Sequence, residues 1–329
     1  MKKLCIVILN WKGAQDTIDC LSSFHAQSMP EGLHLVVVDN ASPDDSVERI
    51  LSWTEGSGMP TDILDHNAQD DRLIEVAPPV WTDAPRLTLV RSNINSGFCV
   101  GNNLGARIGF EAGADYVLVL NNDTVVHQDF NAALQQALLG DEGRTLYSPQ
   151  IAYASDPDTI WWFGGRFSRL LSPTYVAQGT PVHADDRSRP KTQWVSGCAT
   201  LISREVYDQL GLYDPVFFIW CEEWDLSLRA GNAGVPMRVL PDTLVYHKVG
   251  KSLGITSPLT FFYAMRNMLI LRRRYLPWFL RLPFNVVYLP HKLVQAFRLA
   301  LRQRDPNYLL GYVDALTSTR TGGKWQRQG

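Results

Sequence analysis

The chain lacks any run of about 18 uninterrupted apolar residues, the length that a membrane-spanning helix needs, and it has no Cys-x-x-Cys pair. Its five cysteines, Cys5, Cys20, Cys99, Cys198 and Cys221, are odd in number and widely spaced. That argues against a zinc ribbon and against a disulfide framework, and it fits a reducing, cytoplasmic setting. Neither the Gly-x-Gly-x-x-Gly fingerprint nor the P-loop pattern is present, which disfavours a dinucleotide-dependent dehydrogenase or a P-loop enzyme. Acidic residues are missing from one long stretch. Between Thr243 and Arg304 there is no Asp or Glu, against eleven Lys and Arg. The rest of the chain keeps 20 of the 31 basic residues and all 33 acidic ones, a net of −13. An acidic body with a basic C-terminal segment suggests an anionic surface as partner. The basic residues sit among aliphatic ones rather than stacking motifs, so nucleic acid is not expected.

What is present is ordinary globular material. The 329 residues are 45% hydrophobic and 19% charged, enough for one large domain or two smaller ones. The apolar run Leu4–Leu9 is too short for a signal-peptide core and has no small-residue cleavage site after it, so it reads as a first strand. A helical pattern over 16–26 follows, then a buried strand at 33–38 closed by Asp39-Asn40-Ala41-Ser42. The next helix spans Val47 to Trp53, with Ser46 as its N-cap. This order of buried strands and helices predicts an α/β fold with a mainly parallel sheet. Residues 55–85 read as a long exposed insertion. After a third strand at 87–90, Gly97, Gly101 and Gly105 lead into a helix. Either this loop offers backbone N–H groups to an anion or ribose, or two of the three glycines only permit close helix–sheet packing.

The central feature is the strand Tyr116–Leu120, which runs directly into Asn121-Asn122-Asp123. Ligands of open α/β sheets bind just beyond the carboxyl ends of such strands, and a carboxylate there suits a divalent cation held against phosphates. The plainer alternative is a turn and helix cap. In the second half, 193–202 reads as a strand and 204–210 as a helix. An aromatic run then ends in Glu222-Glu223-Trp224-Asp225. Carboxylates packed against rings are costly unless something uses or neutralises them. On a helix, Asp225 pairs with Arg229 and Glu223 is left to face a cleft. His247 precedes a Lys- and Gly-containing loop, 248–252, suited to a phosphate or metal neighbourhood. Residues 258–275 read as a helix. The basic, aromatic stretch 278–301 suits an anionic membrane surface, a cover for the domain, or contact with a second copy of the chain. From residue 317 the chain reads as a loose tail.

Taken together, these pieces resemble the family 2 glycosyltransferases, particularly rhamnosyltransferase-like members that build bacterial surface polysaccharides. The resemblance covers residues 1–253 and rests on motifs in the family's order. They are Val7-Ile-Leu-Asn-Trp11, Val36-Val-Val-Asp-Asn-Ala-Ser42, Asn95-Ser-Gly-Phe98 with Gly101-Asn-Asn-Leu-Gly105, Leu118-Val-Leu-Asn-Asn-Asp123, Val195-Ser-Gly-Cys198 and Glu222-Glu-Trp-Asp-Leu-Ser-Leu-Arg229. It implies a GT-A fold, Rossmann-like with a mainly parallel central sheet. Donor binding would occupy about 1–125 and the acceptor side 146–253, with a helical extension over 254–316 and a tail over 317–329. The resemblance further implies that Asn10, Asp39, Asn95, Gly97, Asn122 and Asp123 surround a dTDP- or UDP-linked sugar. Asp123 closes the metal motif and, with His247, would ligate Mg2+ or Mn2+, although Asn121 stands where an Asp is frequent. Glu223 takes the place of the catalytic base. Trp194, Gly197, Glu222, Asp225 and Arg266 fall on the acceptor or diphosphate side. Transfer of rhamnose or a hexose with inversion, onto a saccharide or lipid-linked saccharide at the inner face of the plasma membrane, is the implied reaction. Other classes remain open: a sugar-nucleotide pyrophosphorylase, disfavoured by the sparse Asn10-Trp11-Lys12-Gly13 loop, and a non-catalytic nucleotide-sugar or carbohydrate-binding protein.

Overall fold

The computed structural model describes residues 1–27, 31–69, 72–74, 82, 84–182, 190–249 and 257–318. The strands are β1 (Leu4–Asn10), β2 (Leu33–Asp39), β3 (Thr61–Asn67), β4 (Arg72–Ile74), β5 (Arg86–Ser92), β6 (Tyr116–Asn121), β7 (Thr124–Val126), β8 (Leu146–Tyr153), β9 (Asp156–Trp162), β10 (Gly165–Phe167), β11 (Pro173–Tyr175), β12 (Ala199–Ser203) and β13 (Met237–His247). The helices are α1 (Ala14–His25), α2 (Ser46–Ser57), α3 (Gly97–Ala112), α4 (Phe130–Ala137), α5 (Arg204–Leu210), α6 (Glu222–Asn232), α7 (Pro258–Tyr275), α8 (Trp278–Gln303) and α9 (Asn307–Thr317).

Because β1, β2 and β6 are apolar on both faces, they need helices above and below, and they lie in the middle of the main sheet. Its order is β4-β3-β5-β2-β1-β6-β12-β8-β13-β7, with β9 paired to β8. Strands β3, β5, β2, β1 and β6 run parallel, whereas β12 is antiparallel to β6 and β8. Alternate residues of β1 divide between two cores. Leu4, Ile6 and Ile8 meet Cys20, Leu21 and Phe24 of α1, Ile50 of α2 and Phe130 of α4. Cys5 and Val7 meet α3, with Val206, Leu226, Ile270 and Leu271 from α5, α6 and α7. The result is an α/β/α sandwich with the expected mainly parallel sheet. A third cluster joins α7, α8 and α9 through Phe261, Phe262, Tyr263, Ala296 and Tyr308.

Three local expectations are corrected. Part of the supposed insertion at 55–85 is regular structure, since α2 runs on to Ser57 and Thr61–Asn67 is strand β3, paired in parallel with β5 over Thr61–His66, while residues 70, 71, 75–81 and 83 lie outside the described residues. The sequence of β3, Thr-Asp-Ile-Leu-Asp-His-Asn, is polar because it lies near the sheet edge with only Leu64 and His66 buried. The strand expected over 193–202 begins only at Ala199, since residues before it turn beneath α6. The N-cap of α2 is Asp45 rather than Ser46, whose hydroxyl bonds Asp44 Oδ1 instead. The tail from 319 and residues 250–252 of the loop after His247 lie outside the described residues.

The glycines of α3 are settled by packing. A Cβ at Gly101 would run into Leu9, one at Gly105 into Val7, and one at Gly109 into Cys5. These three form a smooth stripe that lets the helix lie directly on β1. Gly97 differs: its φ is +85° and a Cβ there would strike the Phe218 ring. We therefore expect Gly105→Ala to lose about 1–2 kcal/mol of stability, because overpacking against the stiff Val7 side chain outweighs the gain in helix propensity. Gly56→Ala, at an exposed helical position with nothing within 4 Å, should gain about 0.5–1 kcal/mol. Denaturant unfolding of the two variants checks both signs.

Candidate active site

The strand order reverses between β1 and β6, since β2 and β5 extend to one side of β1 and β6 flanks the other. A crevice at the carboxyl ends of such a pair is the usual ligand site of an open α/β sheet. Here β1 ends at Asn10, β2 at Asp39 and β6 at Asn121. All three termini therefore open on the same rim.

The Asn10 and Asp39 side chains are buried and bonded to each other. Asn10 Nδ2 donates to Asp39 Oδ2 at 2.7 Å, the Ser42 amide donates to Asp39 Oδ1 at 2.9 Å, and Thr17 Oγ1 donates to Asn10 Oδ1 at 2.8 Å. Lys12 and Ala41, in the two loops that follow, hold φ of 55° and 58°, a left-handed conformation that costs a non-glycine residue about 1 kcal/mol or more. Asn40 ties this rim to the next loop. Its Nδ2 donates to Asn95 Oδ1 at 2.9 Å and its Oδ1 accepts from the Ser96 amide at 3.0 Å, while Asn95 Oδ1 also accepts from the Gly97 amide. The expected donor residues Asn10, Asp39, Asn95 and Gly97 are thus joined by one network. Asn40, its connector, was not singled out in the sequence, although it directly follows Asp39.

At the end of β6, Asn122 Nδ2 donates to Thr17 Oγ1 at 3.1 Å. Asp123 is 4% exposed and its Oδ1 lies 3.2 Å from His247 Nε2. Pairing of β13 with β7, His247 opposite Thr124, brings these distant residues together. Burial alone would favour neutral imidazole, but the neighbouring Cys198 sulfur and Asp123 carboxylate outweigh it and raise the His247 pKa to about 10. Asn121 Oδ1 is buried in the same turn without a hydrogen-bond partner. Among the described residues no group of three His, Cys, Asp or Glu side chains surrounds a common point. One carboxylate and one amide oxygen, joined by the imidazole once a cation displaces its proton, fit a divalent cation that takes its remaining oxygen ligands from a bound diphosphate.

The second carboxylate group begins at the N-terminus of α6. Trp220 and Cys221 both have positive φ, 64° and 70°, and they turn the chain so that Glu222 and Glu223 open the helix. Both lie against Gly197, whose Cβ position is 3.4 Å from Glu222 Oε1 and 3.5 Å from Glu223 Cβ. Desolvation raises both carboxyls. Glu222 moves well above its ordinary 4.5, by burial and by the adjacent Glu223 charge, while Glu223 rises to about 7, held down by the hydrogen bond from Glu222. Burial therefore lifts both carboxyls of the pair above the ordinary carboxylate range, and they titrate together. The Oε2 atoms of both are buried without a partner.

Between the two groups runs a chain of rings. Trp161 meets His247 edge-on at 4.6 Å and Tyr175 at 6.1 Å, Tyr175 meets Trp194 at 5.1 Å, and Trp194 meets Trp224 at 6.3 Å. Trp194 itself is buried, with Gly165 pressed on its indole. The more exposed Trp161 and Tyr175 carry no motif that sequence reasoning picks out, and only their place on β9 and β11 brings them here.

Two residues expected on the acceptor side do structural work instead. Asp225 is fully buried and occupied by Arg229 Nε at 2.8 Å, Arg274 Nη1 at 2.9 Å and Tyr275 Oη at 2.9 Å. Arg266 is also fully buried, donating to Val216 O, Ser318 O and Asn267 Oδ1. A charge in either place is retained because it is hydrogen-bonded to three partners. For Glu222 the opposite holds, and a stability test follows. A carboxyl raised on folding binds its proton more tightly in the folded than in the unfolded state, so stability falls as pH rises above about 4.5. Glu222→Gln removes that dependence. Its melting temperature should exceed that of the wild type by more at about pH 8 than at about pH 5, as read by thermal unfolding at the two values.

Comparison with known proteins gives the same direction. The chain is 23% identical over 257 residues, 74% of its length and 83% of the relative's, to the dTDP-rhamnosyl transferase RfbF of Shigella flexneri. It is 26% identical over 238 residues, 67% of its length and 77% of the relative's, to the N-acetylglucosaminyl-diphospho-decaprenol L-rhamnosyltransferase of Mycobacterium tuberculosis. Its fold is similar to that of the mannosyltransferase PcManGT from Pyrobaculum calidifontis, solved with GDP-Man and Mn2+, with a TM-score of 0.51, 14% identity and coverage of 97% of this chain and 87% of that one. It is also similar to GalNAc-T7, solved with UDP, GalNAc and Mn2+, with a TM-score of 0.53, 15% identity and coverage of 82% and 48%. Residues 5–211, more than half of the chain, match the family model for glycosyl transferase family 2, and the protein belongs to that family.

Proposed function

We propose that the protein transfers rhamnose or a hexose, with inversion, from a dTDP- or UDP-linked donor to a saccharide or lipid-linked saccharide acceptor of cell-surface polysaccharide synthesis. The observation that carries this reading is the Glu222–Glu223 pair opening α6 against Gly197, with burial raising Glu223 to about 7, and the run of rings Trp224, Trp194, Tyr175 and Trp161 that leads from it to His247 and Asp123. A base of that pKa is matched to removing a hydroxyl proton at physiological pH. The named relatives act with rhamnose, and the Mycobacterium relative's name specifies a lipid diphosphate saccharide, which favours a lipid-linked acceptor.

In this reading Asp39 and Asn10 hold the pyrimidine of the donor, and the amides of the Asn95–Gly97 loop face its ribose. Asn122, Asp123 and His247 lie beside the diphosphate. A divalent cation bound there, Mg2+ or Mn2+, would neutralise charge developing on the departing nucleoside diphosphate. The acceptor sugar lies against Trp161, Tyr175 and Trp224, with its free hydroxyl directed to Glu223 beside Gly197 and Trp194. Glu223 takes the hydroxyl proton as the oxygen attacks the anomeric carbon from the face opposite the leaving diphosphate. Burial gives Glu223 the basicity for this step, and the hydrogen bond from its own backbone amide opposes a further rise.

Glu223→Gln should lower kcat by about 100- to 10,000-fold, the range for loss of a general base, with nucleotide-sugar affinity retained. Single-turnover transfer and donor calorimetry separate the two quantities, and near-normal turnover would remove Glu223 from the role. In the wild type, kcat should rise with pH through about 7 and then level, because the base works only when ionised.

Chelation should abolish transfer and added Mn2+ or Mg2+ should restore it. Asp123→Ala should raise the metal concentration for half-maximal activity by at least about tenfold. Full activity in excess chelator would exclude the metal-assisted form of the mechanism.

A further inference from the structure

The C-terminal helices leave one surface unexplained by sugar transfer. Along α8 the exposed large apolar residues are not scattered. Phe279, Leu282, Val286, Leu293, Phe297 and Leu301 recur at spacings of three, four and seven, and so they line one stripe along the helix. Val287 and Val294 widen it. Val286 is 68% exposed, Val287 72% and Phe297 54%. The opposite side of α8 is used, with Ala296 buried and Tyr288, Leu289 and Leu299 packed on α7 and α9. α8 is therefore an amphipathic helix whose second apolar face meets no described residue. A contiguous exposed patch of this kind marks an interaction site.

Charge identifies the occupant. Of the eleven basic residues of the acid-free segment, Lys251 lies outside the described residues, Arg281 donates to the Arg273 carbonyl, and the other nine divide by their surroundings. Arg266 and Arg272 are buried, Lys292 lies over the Tyr288 and Phe261 rings, Arg274 pairs with Asp214 and Asp225, and Lys248 pairs with Asp16 and Asp19. Arg273, Arg298, Arg302 and Arg304 are exposed. Arg298 and Arg302 stand beside the stripe, lining a shallow groove with His291, Val294, Gln295 and Leu299. No acidic residue lies anywhere on α8. At its start Trp278 and Phe279 are exposed side by side, and aromatic pairs of this type settle at the boundary between headgroups and acyl chains. Among the described residues no helix is long and apolar enough to cross a membrane. Apolar stripe, flanking arginines and interfacial aromatics together suit a helix lying in the plane of the lipid surface.

We propose that α8 docks the protein on an anionic phospholipid bilayer. Its apolar stripe enters the acyl boundary, and Arg298 and Arg302 contact lipid phosphates from the groove beside it. An interface with a second copy of this chain fits less well. Two identical faces would bring the unneutralised arginines of both copies together, with no acidic residue on either helix to offset them.

The test is co-sedimentation of the full chain with vesicles of phosphatidylglycerol mixed into phosphatidylcholine and with vesicles of phosphatidylcholine alone. Binding should require the anionic lipid and weaken with salt. Val286→Glu/Val287→Glu/Phe297→Glu should reduce the vesicle-bound fraction at least about tenfold, as loss of several inserted apolar side chains implies. Arg298→Gln/Arg302→Gln should reduce binding to anionic vesicles severalfold and leave thermal unfolding unchanged, which keeps the test valid even if the triple variant folds poorly. Absence of wild-type binding to anionic vesicles would overturn the proposal. So would a concentration-dependent dimer, seen by light scattering, that the triple substitution dissolves.

Discussion

Two carboxylates that water would readily keep apart are held together at the start of α6, and most of the surrounding structure serves to keep them there. Burying an ionised carboxylate without a partner costs several kcal/mol, and burial accordingly raises both members of the pair. The helix N-terminus contributes too, since its free N–H groups and dipole favour negative charge in the first turn, where Glu222, Glu223 and Asp225 all lie. Asp225, third in that turn, is fully neutralised by Arg229, Arg274 and Tyr275. Its anchoring fixes the rotation of α6 about its axis. Glu223 is thereby set against Gly197.

Helix α7 makes this placement possible, which explains why a segment near the C-terminus matters to chemistry at the sheet rim. Asn267 donates to the carbonyls of Ile219 and Trp220 at 2.7 and 2.9 Å, the second of them in a left-handed residue. Arg266 holds the Val216 carbonyl at 2.8 Å. The backbone from 216 to 221 is thus bolted to α7 just before the carboxylates emerge. Tyr263 of the same helix stacks on Phe218, 5.1 Å between centroids, and the Phe218 ring fills the space a side chain at position 97 would need. The Phe98 amide also donates to the Phe218 carbonyl. One helix therefore sets the loop that presents Glu223 and braces the loop around Gly97. Ile270 and Leu271 share a core with the sheet itself, so α7 belongs with the α/β sandwich as much as with α8 and α9.

What could be read from sequence follows from how each element is buried. β1, β2 and β6 are covered on both faces and appear as continuous apolar runs, and the chemistry-bearing ends Asn10, Asp39 and Asp123 come immediately after them. β3 stayed hidden because it buries few side chains, and alternating polar residues with no turn signal do not separate an edge strand from a loop. Asp225 and Arg266 were placed by motif on the acceptor side. Their partners, Arg274, Tyr275 and the Val216 carbonyl, lie about fifty residues away in the chain, and helical spacing reveals only the Arg229 contact. The glycines show the same limit from the other side. Even spacing of four places them on one face of a helix, but only the position of Val7, Leu9 and Cys5 shows that the face is a packing surface and that Gly97 alone belongs to the loop.

The same physical term explains both the cost and the use of the central pair. Desolvation lifts Glu223 to about 7, and that shift is unfavourable to folding wherever the carboxyl ionises inside the protein but not outside it. A surface glutamate would avoid the cost, but at its ordinary pKa it would be a weaker base by more than two powers of ten. In the proposed mechanism a buried carboxyl at about 7 is a strong enough base to accept a hydroxyl proton and still ionises near neutrality. The arginines, tyrosine and asparagine behind α6 supply the rigidity such a pair needs, because a helix free to rotate would let water in and return both carboxyls to their ordinary values.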